Sequence, residues 1–219
     1  MLNECIIFSN GILKYIITCL FNQIYVLAML SEECSKGMII PIYKKGDVHS
    51  PSNYRPITLL SSIGKLFTKI MCKRLIEWAT DQYIFSEAQF GFRPSYSTTD
   101  ASYTLQVLLS RRKNKQKIYC AFVDFSTAFD SVNRQMLYSQ LKEYGISSKM
   151  LQIIIALYNN VSSCIKIDDM CSDMFSCNEG LRQGYSLSPI LFSFYINDLV
   201  VYRRVMIVMT LIFYCTLTI

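Results

Sequence analysis

Apolar residues dominate the first part of the chain and recur afterwards in shorter, periodic segments. Residues 12–30 form an almost continuous apolar run that is interrupted by Lys14, Asn22 and Gln23. A helix that crosses a membrane needs about 20 mostly apolar residues with few or no charges. The interruptions therefore favour a buried helix over a membrane span.

A strand and an amphipathic helix are predicted next. Residues 38–43 are β-prone and end in the basic turn 44–47, which predicts a short strand. From residue 62 to about 80 the apolar positions have a helical period. Lys65, Lys69 and Lys73 recur at i+4 spacing on another face of that helix. Such a stripe is usually solvated surface, but it also suits contact with a phosphate backbone.

The middle of the chain begins with a loop at residues 86–96, which contains glycine and proline. Ser97 and Asp100 have the spacing of a capping box and predict a helix that continues to about residue 110. Residues 111–117 contain five cations and predict an exposed basic loop.

A central strand and two helices are predicted after that loop. Residues 118–124 are apolar at both phases of a two-residue period, as in a strand that is covered on both faces. A helix is predicted to begin with Asp130 as its N-cap and to stop at Gly145. Ser147 is predicted to cap the following helix.

The last third combines a hairpin, a helix and an uncharged tail. Residues 161–178 alternate and then turn at a polar stretch, which predicts a β-hairpin. Ser188 as cap and Pro189 in the first turn predict a helix to about residue 200. Residues 205–219 carry no charge and suit either a buried strand or a short membrane anchor.

The composition excludes a disordered or collagen-like chain. Of 219 residues, 52% are hydrophobic and 17% are charged, compared with about 25% charged in ordinary globular proteins. The net charge of +6 is compatible with a polyanionic partner without requiring one.

The cysteines indicate a reducing compartment rather than a metal site or a disulfide framework. Nine cysteines occur without a C-x-x-C pair, and His49 is the one histidine, so a zinc site is not supported. No basic segment precedes the first apolar run, as a signal peptide would require. We therefore expect an intracellular protein, in the nucleus or cytoplasm and not secreted, with a membrane association disfavoured and the oligomeric state undetermined.

Five sequence blocks resemble the reverse transcriptase domain of non-LTR (LINE-type) retrotransposons, in the order in which that family has them. The resemblance as a whole covers about residues 12–200. The blocks are Ile39-Ile-Pro-Ile-Tyr-Lys-Lys-Gly-Asp47, Asn53-Tyr-Arg-Pro-Ile57, Gln89-Phe-Gly-Phe-Arg93, Phe122-Val-Asp-Phe-Ser-Thr-Ala-Phe-Asp130 and Leu181-Arg-Gln-Gly184 with Leu187-Ser-Pro189.

The resemblance implies an α+β fold with fingers and a partial palm, whose ferredoxin-like antiparallel sheet would be incomplete. It divides the chain into an N-terminal helical segment (1–35), a fingers-like region (36–117), a partial palm (118–200) and an apolar tail outside the resemblance (201–219). The implied partners are an RNA template, a DNA primer and deoxynucleoside triphosphates.

The resemblance also implies catalytic and metal-binding roles. Asp124 matches the family's first metal-binding aspartate and would be a ligand of Mg²⁺, because phosphoryl transfer by two metal ions requires hard carboxylate ligands. The alternative is an aspartate satisfied by the amides of a turn. Asp130 is first of all the predicted N-cap.

Further residues are implied to bind the nucleotide or the nucleic acid. Phe125 and Phe129 would contact the incoming nucleotide, with Phe129 under its sugar, although Phe129 could also be ordinary core. Gln183 and Gly184 would form part of the nucleotide pocket, where the bulky Tyr185 departs from the family's usual pattern. Two arginines match fingers residues near the triphosphate or template, and each could instead form a structural ion pair: they are Arg55 and Arg93.

The family's second metal-binding block, Tyr-x-Asp-Asp, does not occur in this sequence. The Asp168-Asp169 pair precedes the Gln-Gly block and cannot replace it. We therefore expect a truncated polymerase that is inactive alone. The alternatives are a polymerase that receives a carboxylate from elsewhere, a nucleic-acid-binding remnant, a tail-anchored membrane protein, or an unstable chain without function.

Overall fold

The computed structural model describes residues 11–110, 125 and 127–200. The predicted basic loop at 111–117, the whole predicted strand at 118–124 with Asp124, and the apolar tail at 201–219 lie outside the described residues. The elements run in the order α1 (Gly11–Leu27), α2 (Glu32–Ser35), β1 (Lys36–Tyr43), β2 (Tyr54–Leu59), α3 (Ser62–Asp81), α4 (Thr98–Ser110), α5 (Arg134–Glu143), α6 (Ser148–Tyr158), β3 (Ser162–Ile167), β4 (Met170–Cys171), β5 (Phe175–Ser176) and α7 (Ser188–Ile196). Short 3₁₀ turns cover Pro51–Asn53 and Asn197–Val200.

The fold is mixed α+β, and the strands form one small mixed sheet with the order β2-β1-β3-β4, while β5 pairs with β3. β1 and β2 are antiparallel, with Tyr43 opposite Tyr54. β1 and β3 are parallel, with Lys36 opposite Ser162. The long connection through several helices allows β3 to enter the sheet in the same direction as β1. Within residues 118–200 the described strands pair antiparallel, β3 with β4 and β3 with β5. The antiparallel palm sheet as a whole stays a prediction, because its predicted strand at 118–124 lies outside the described residues.

The sequence predicts no regular element at β2, because Pro51 precedes it and Pro56 lies within it. It lies at the edge of the described sheet, and Pro56 faces Pro41 across the β1–β2 pair. Edge strands tolerate proline, since one side of the strand needs no ladder hydrogen bonds. Pro56 therefore agrees with the edge position of β2, and Pro41 lies in β1 beyond the residues that pair with β3.

The core lies where α3, α5, α6 and α7 meet. Its fully buried members include Met71, Leu75, Leu137, Ile154 and Leu191.

Phe194 of α7 lies at the centre of the aromatic part of this core. Its ring centroid lies 4.7 Å from Phe85, 5.9 Å from Tyr144 and 6.1 Å from Trp78. The helical period predicted for α3 is confirmed, since Phe67, Met71 and Leu75 are buried.

The first helix is confirmed as a helix, but its predicted burial is wrong. In α1 only Ile24 is buried, and Ile12 and Tyr15 are about two-thirds exposed, at 68% and 70%. α1 packs against the rest of the protein through one face. On that face the ring centroids of Phe21 and Phe67 lie 5.3 Å apart. Apolar residues lie on all sides of this helix, and a pattern of that kind does not define which face is covered. Within the described residues, no helix is long and apolar enough to cross a membrane.

Two of the predicted helix caps are confirmed. The Ser147 hydroxyl accepts from the Met150 N–H at 3.2 Å. Ser97 and Asp100 exchange capping-box hydrogen bonds, the Ser97 N–H donating to the Asp100 carboxylate at 2.8 Å.

Two other predicted caps are wrong. Asn133, not Asp130, caps α5, and its side chain accepts from the Met136 N–H at 3.1 Å. Ser188 does not cap α7, because its hydroxyl donates to the Arg182 carbonyl at 2.7 Å. The side chains of Asp130 and Ser188 instead form hydrogen bonds with the loop at residues 180–185. The spacing of residues along the chain does not reveal these contacts.

Candidate active site

The loop at residues 180–185 crosses the backbone of β2. The Thr58 N–H donates to the Gln183 carbonyl at 3.0 Å. A Cβ atom on Gly184 would collide with the Thr58 carbonyl oxygen and crowd the Leu60 side chain at 3.2 Å. Glycine at 184 is therefore required for this close approach of two backbones.

The start of the same loop is bonded to the turn that follows residue 127. The Leu181 N–H donates to the Phe129 carbonyl at 2.7 Å, and the Gly180 N–H donates to the Val132 carbonyl at 3.0 Å. Gly180 has a φ of +73°, and a Cβ there would lie 2.7 Å from the Asp130 Cα. These contacts join two of the five sequence blocks into one structural unit.

The two blocks also meet through side chains. Gln183 Nε2 lies 3.3 Å from Asp130 Oδ1 and 3.2 Å from Asp130 Oδ2, so the amide donates to the carboxylate. Burial raises the pKa of Asp130, while the Gln183 hydrogen bond and the nearby Lys44 ammonium oppose that rise. Sequence reasoning gave Asp130 a capping role and missed this contact, because the two residues come together only through the fold.

Arg134 holds the loop from the side of α5. Its guanidinium donates to the carbonyls of Gly180 and Glu179, each at 2.9 Å, and to that of Tyr158 at 3.0 Å. Burial lowers the pKa of Arg134, but a guanidinium stays protonated in proteins. Sequence reasoning did not single out Arg134, which lies four residues after Asp130.

Arg182 is buried and points under the sheet rather than toward the site. It donates to the carbonyls of Cys34 and Ser162, each at 3.2 Å. The Tyr185 hydroxyl donates to the same Cys34 carbonyl at 2.6 Å. The bulky side chain of Tyr185, which departs from the family's usual pattern, is therefore buried beside Arg182 and anchors the loop to α2, just before β1.

Three phenylalanine side chains near this loop form an aromatic cluster with Phe192 of α7. They are Phe92, Phe125 and Phe129. The Phe129 ring lies 5.2 Å from that of Phe192 and 6.2 Å from that of Phe92, and the Phe125 ring lies 6.2 Å from that of Phe192. Phe125 and Phe129 are both half-buried. They line the side of the cluster next to the Asp130 turn.

The two predicted arginines have different surroundings. Arg93 is 14% exposed, donates to the Ser86 carbonyl at 2.7 Å and lies 3.7 Å from Glu87. Its guanidinium also covers the Tyr96 ring at 4.0 Å. These contacts brace the loop at residues 86–96. Arg55 is exposed on β2. A role in phosphate binding stays a prediction for both.

The predicted lysine stripe lies on the solvent side of α3. Lys65, Lys69 and Lys73 are all exposed. Lys73 is 3.8 Å from Glu77 on the next turn. Contact of the stripe with nucleic acid stays a prediction.

The predicted metal ligand Asp124 lies outside the described residues. Within the parts of the chain that are described, no group of three or more His, Cys, Asp or Glu side chains is placed to hold a metal ion. Asp168 and Asp169 lie between β3 and β4, at the tip of the hairpin and away from the loop at 180–185.

The sequence also matches known proteins. Residues 42–214 match the family described as reverse transcriptase (RNA-dependent DNA polymerase). The match continues past residue 200, where sequence reasoning ended the resemblance.

Several curated proteins are similar to the chain. A probable RNA-directed DNA polymerase from transposon BS of Drosophila melanogaster is 29% identical over 82% of this chain and 20% of its own length. A probable RNA-directed DNA polymerase from transposon X-element of the same organism is 28% identical over 84% of the chain and 20% of its own length. A retrovirus-related Pol polyprotein from type-1 retrotransposable element R2 of Popillia japonica is 31% identical over 72% of the chain and 22% of its own length.

The chain thus spans about a fifth of the length of these relatives. The family match covers most of the chain, and the relatives are polymerases of non-LTR retrotransposons. The chain belongs to the reverse transcriptase (RNA-dependent DNA polymerase) family and carries a reverse transcriptase domain of the non-LTR retrotransposon type.

Proposed function

We propose that this chain supplies the part of an RNA-directed DNA polymerase that binds the primer–template and the incoming deoxynucleoside triphosphate. In this proposal residues 36–117 act as fingers and residues 118–200 as a partial palm. The printed names of the relatives support the reaction class, RNA-directed DNA synthesis.

The observation that carries the proposal is the junction of the loop at 180–185 with the Asp130 turn. Backbone bonds from Gln183 to Thr58 and from Leu181 to Phe129 hold the loop on two sides. The half-buried Phe129 and the Gln183 amide then border the same region. An aromatic ring and an amide on a rigid backbone suit the sugar and base of a nucleotide.

Positive charge near this junction supports binding of a polyanion. Lys44 lies close enough to Asp130 to act on its carboxyl group. Tyr43 and Tyr54 stiffen the basic turn that carries Lys44, since their hydroxyls donate to the Gly46 carbonyl at 2.6 Å and to the Val48 carbonyl at 2.8 Å. We propose that Arg55 and Arg93 add contacts to the triphosphate or template, and that the exposed lysines of α3 contact the phosphate backbone.

Divalent metal ions serve the family's reaction, and Mg²⁺ would be held in part by Asp124. Such an ion stabilises the charge that develops during phosphoryl transfer. Asp130 is the carboxylate that the structure describes at this junction, and it is engaged by Gln183 rather than presented for a metal. We therefore assign metal binding to Asp124 and not to Asp130.

A second candidate is nucleic-acid binding without catalysis. The sequence contains no Tyr-x-Asp-Asp block, and one carboxylate cannot hold two metal ions. We propose that the 219 residues bind primer–template but do not extend it by themselves.

Two measurements on the purified chain test these proposals. Binding of an RNA–DNA hybrid that weakens steeply with salt supports the binding function, and absence of binding at low salt contradicts it. Primer extension with Mg²⁺ or Mn²⁺ tests catalysis. Template-dependent synthesis that disappears in Asp124→Ala would show that the chain is an active polymerase, and would overturn the proposal that it is inactive alone.

A further inference from the structure

The contact between Gln183 and Asp130 restricts the orientation of the Gln183 amide. The amide nitrogen lies 3.2 Å and 3.3 Å from the two carboxylate oxygens. An ionised carboxylate only accepts hydrogen bonds. Asp130 can therefore pair with the Nε2 side of the amide and not with the Oε1 side, which turns Oε1 away from Asp130.

We propose that Asp130 is a positioning residue that orients the Gln183 amide so that Oε1 faces the incoming nucleotide as a hydrogen-bond acceptor. The site would then select ligands that present a donor there, such as a sugar hydroxyl or a base amino group. This inference rests on the proposed nucleotide-binding function. It assigns Asp130 a role different from that of a helix cap or a metal ligand.

Backbone contacts on both sides restrict the position of Gln183. Gln183 is held at its carbonyl by Thr58, and Gly184 admits no side chain against that strand. On the other side, Leu181 is bonded to the Phe129 carbonyl. With the backbone held on both sides, the freedom left to Gln183 lies in its side-chain torsions, and the hydrogen bonds to the Asp130 carboxylate restrict them.

The surroundings of Asp130 act on its charge in opposite directions, and burial, which raises its pKa, is the larger influence. Burial favours the protonated acid, whereas the Lys44 ammonium and the Gln183 amide favour the carboxylate. A protonated Asp130 could donate to Oε1 and reverse the amide. Lys44 thus supports the orientation from the basic turn after β1.

A double-mutant cycle on the chain tests the inference. The ligand is dATP, titrated in Mg²⁺ against the chain bound to a chain-terminated RNA–DNA primer–template with uridine as the next template base. Asp130→Asn keeps the shape but allows the Gln183 amide to pair in either orientation, and we expect about fivefold weaker dATP binding. Gln183→Leu should weaken binding about tenfold. The double variant should be no weaker than Gln183→Leu within about twofold.

The control is Asp169→Asn, which makes the same charge change on the exposed hairpin turn and should bind dATP as the unsubstituted chain does. Urea unfolding of each variant separates loss of fold from loss of orientation. A second readout is the NMR signal of the Gln183 side-chain amide, whose protons should lose their hydrogen-bonded shift in Asp130→Asn.

The outcomes separate the inference from the function on which it rests. If the effects of Asp130→Asn and Gln183→Leu multiply to about fiftyfold in the double variant, Asp130 does not act through Gln183 and the inference is wrong while nucleotide binding stands. An unchanged Gln183 amide signal in Asp130→Asn would overturn the inference in the same way. If the unsubstituted chain binds no dATP, the proposed nucleotide site fails and the inference fails with it.

Discussion

The Leu181 N–H donates to the Phe129 carbonyl at 2.7 Å. This bond is part of the junction between the loop that carries Gln183 and the turn that carries Asp130. The junction is held further by Arg134, and Gly184 fits the same loop against β2.

Removal of the Arg134 guanidinium should destabilise the junction between the loop at residues 180–185 and the Asp130 turn. Three backbone carbonyls lose their donor in Arg134→Ala, and we expect the free energy of unfolding to fall by about 2–3 kcal/mol. Arg134→Lys should recover only part of this, because a single ammonium cannot span three carbonyls in the same way. Urea denaturation measures the effect. Lys142→Ala, at an exposed position of the same helix, is the control, and an equal loss in both variants would contradict the role of Arg134.

Gly184→Ala should push the loop off β2. The added methyl group would collide with the Thr58 carbonyl, and relief of the clash should cost about 1–3 kcal/mol of stability. We also expect weaker dATP binding, since Gln183 would move with the loop. Gly11→Ala is the matched control, because a Cβ at Gly11 meets open space. Wild-type stability and dATP affinity in Gly184→Ala would show that the close approach is not needed.

The lysines of α3 should contribute to nucleic-acid binding through salt-dependent contacts. Replacement of Lys65, Lys69 and Lys73 by alanine should weaken binding of an RNA–DNA hybrid. The slope of log K against log salt should also decrease, by about 0.7–0.9 for each phosphate contact that is lost. Lys73 should contribute least, because it lies near Glu77.

The control for the stripe replaces three lysines elsewhere, Lys14, Lys142 and Lys166, with alanine. Fluorescence anisotropy at several salt concentrations compares the two triple variants. An identical slope in both would indicate that the stripe is only solvated surface.

Alkaline pH should destabilise the fold through Tyr144. Burial, and then the hydrogen bond that its hydroxyl donates to Asp198 at 2.7 Å, raise the pKa of Tyr144 to about 12. The unfolded chain loses this proton near pH 10, so it binds fewer protons than the folded chain between pH 10 and 12. The contribution to stability is therefore complete below pH 10 and declines as pH rises toward 12.

Tyr144→Phe is the variant that tests this origin. It should be less stable at neutral pH, because it loses the bond to Asp198, but its stability should decline less between pH 10 and 12. Urea midpoints at a series of pH values measure both effects. A decline of the same size in Tyr144→Phe would assign the alkaline transition to other groups, such as Tyr138 and Tyr158, whose pKa values burial also raises.

Local patterns predicted much of the secondary structure. The period of α3, the capping box at Ser97 and the cap at Ser147 agree with the structure because each depends on neighbours within one or two turns. The caps at Asp130 and Ser188 were wrong for the opposite reason. The Asp130 side chain binds Gln183, which is distant in sequence, and the Ser188 hydroxyl bonds to the Arg182 carbonyl and the Tyr158 hydroxyl. These partners compete with a local cap.

The candidate site shows the same division. The family resemblance identified Gln183, Gly184 and Phe129. In the structure these residues lie around the junction of the loop at 180–185 with the Asp130 turn. Arg134 and the contact made by Asp130 were missed, since a guanidinium that binds three carbonyls leaves no sequence pattern. The placement of Arg93 against Glu87 and Tyr96 likewise depends on how its loop folds.

The sequence by itself determined the family, the helical and strand periods and the blocks that carry the candidate chemistry, because these depend on the order and spacing of residues. The tertiary structure alone decided the parallel pairing of β1 with β3, the exposed face of α1 and the pairing of Gln183 with Asp130. Each of these is a choice between partners that are distant along the chain. Burial, backbone clearance and the direction of hydrogen-bond donors make that choice, and they exist only once the segments are packed together.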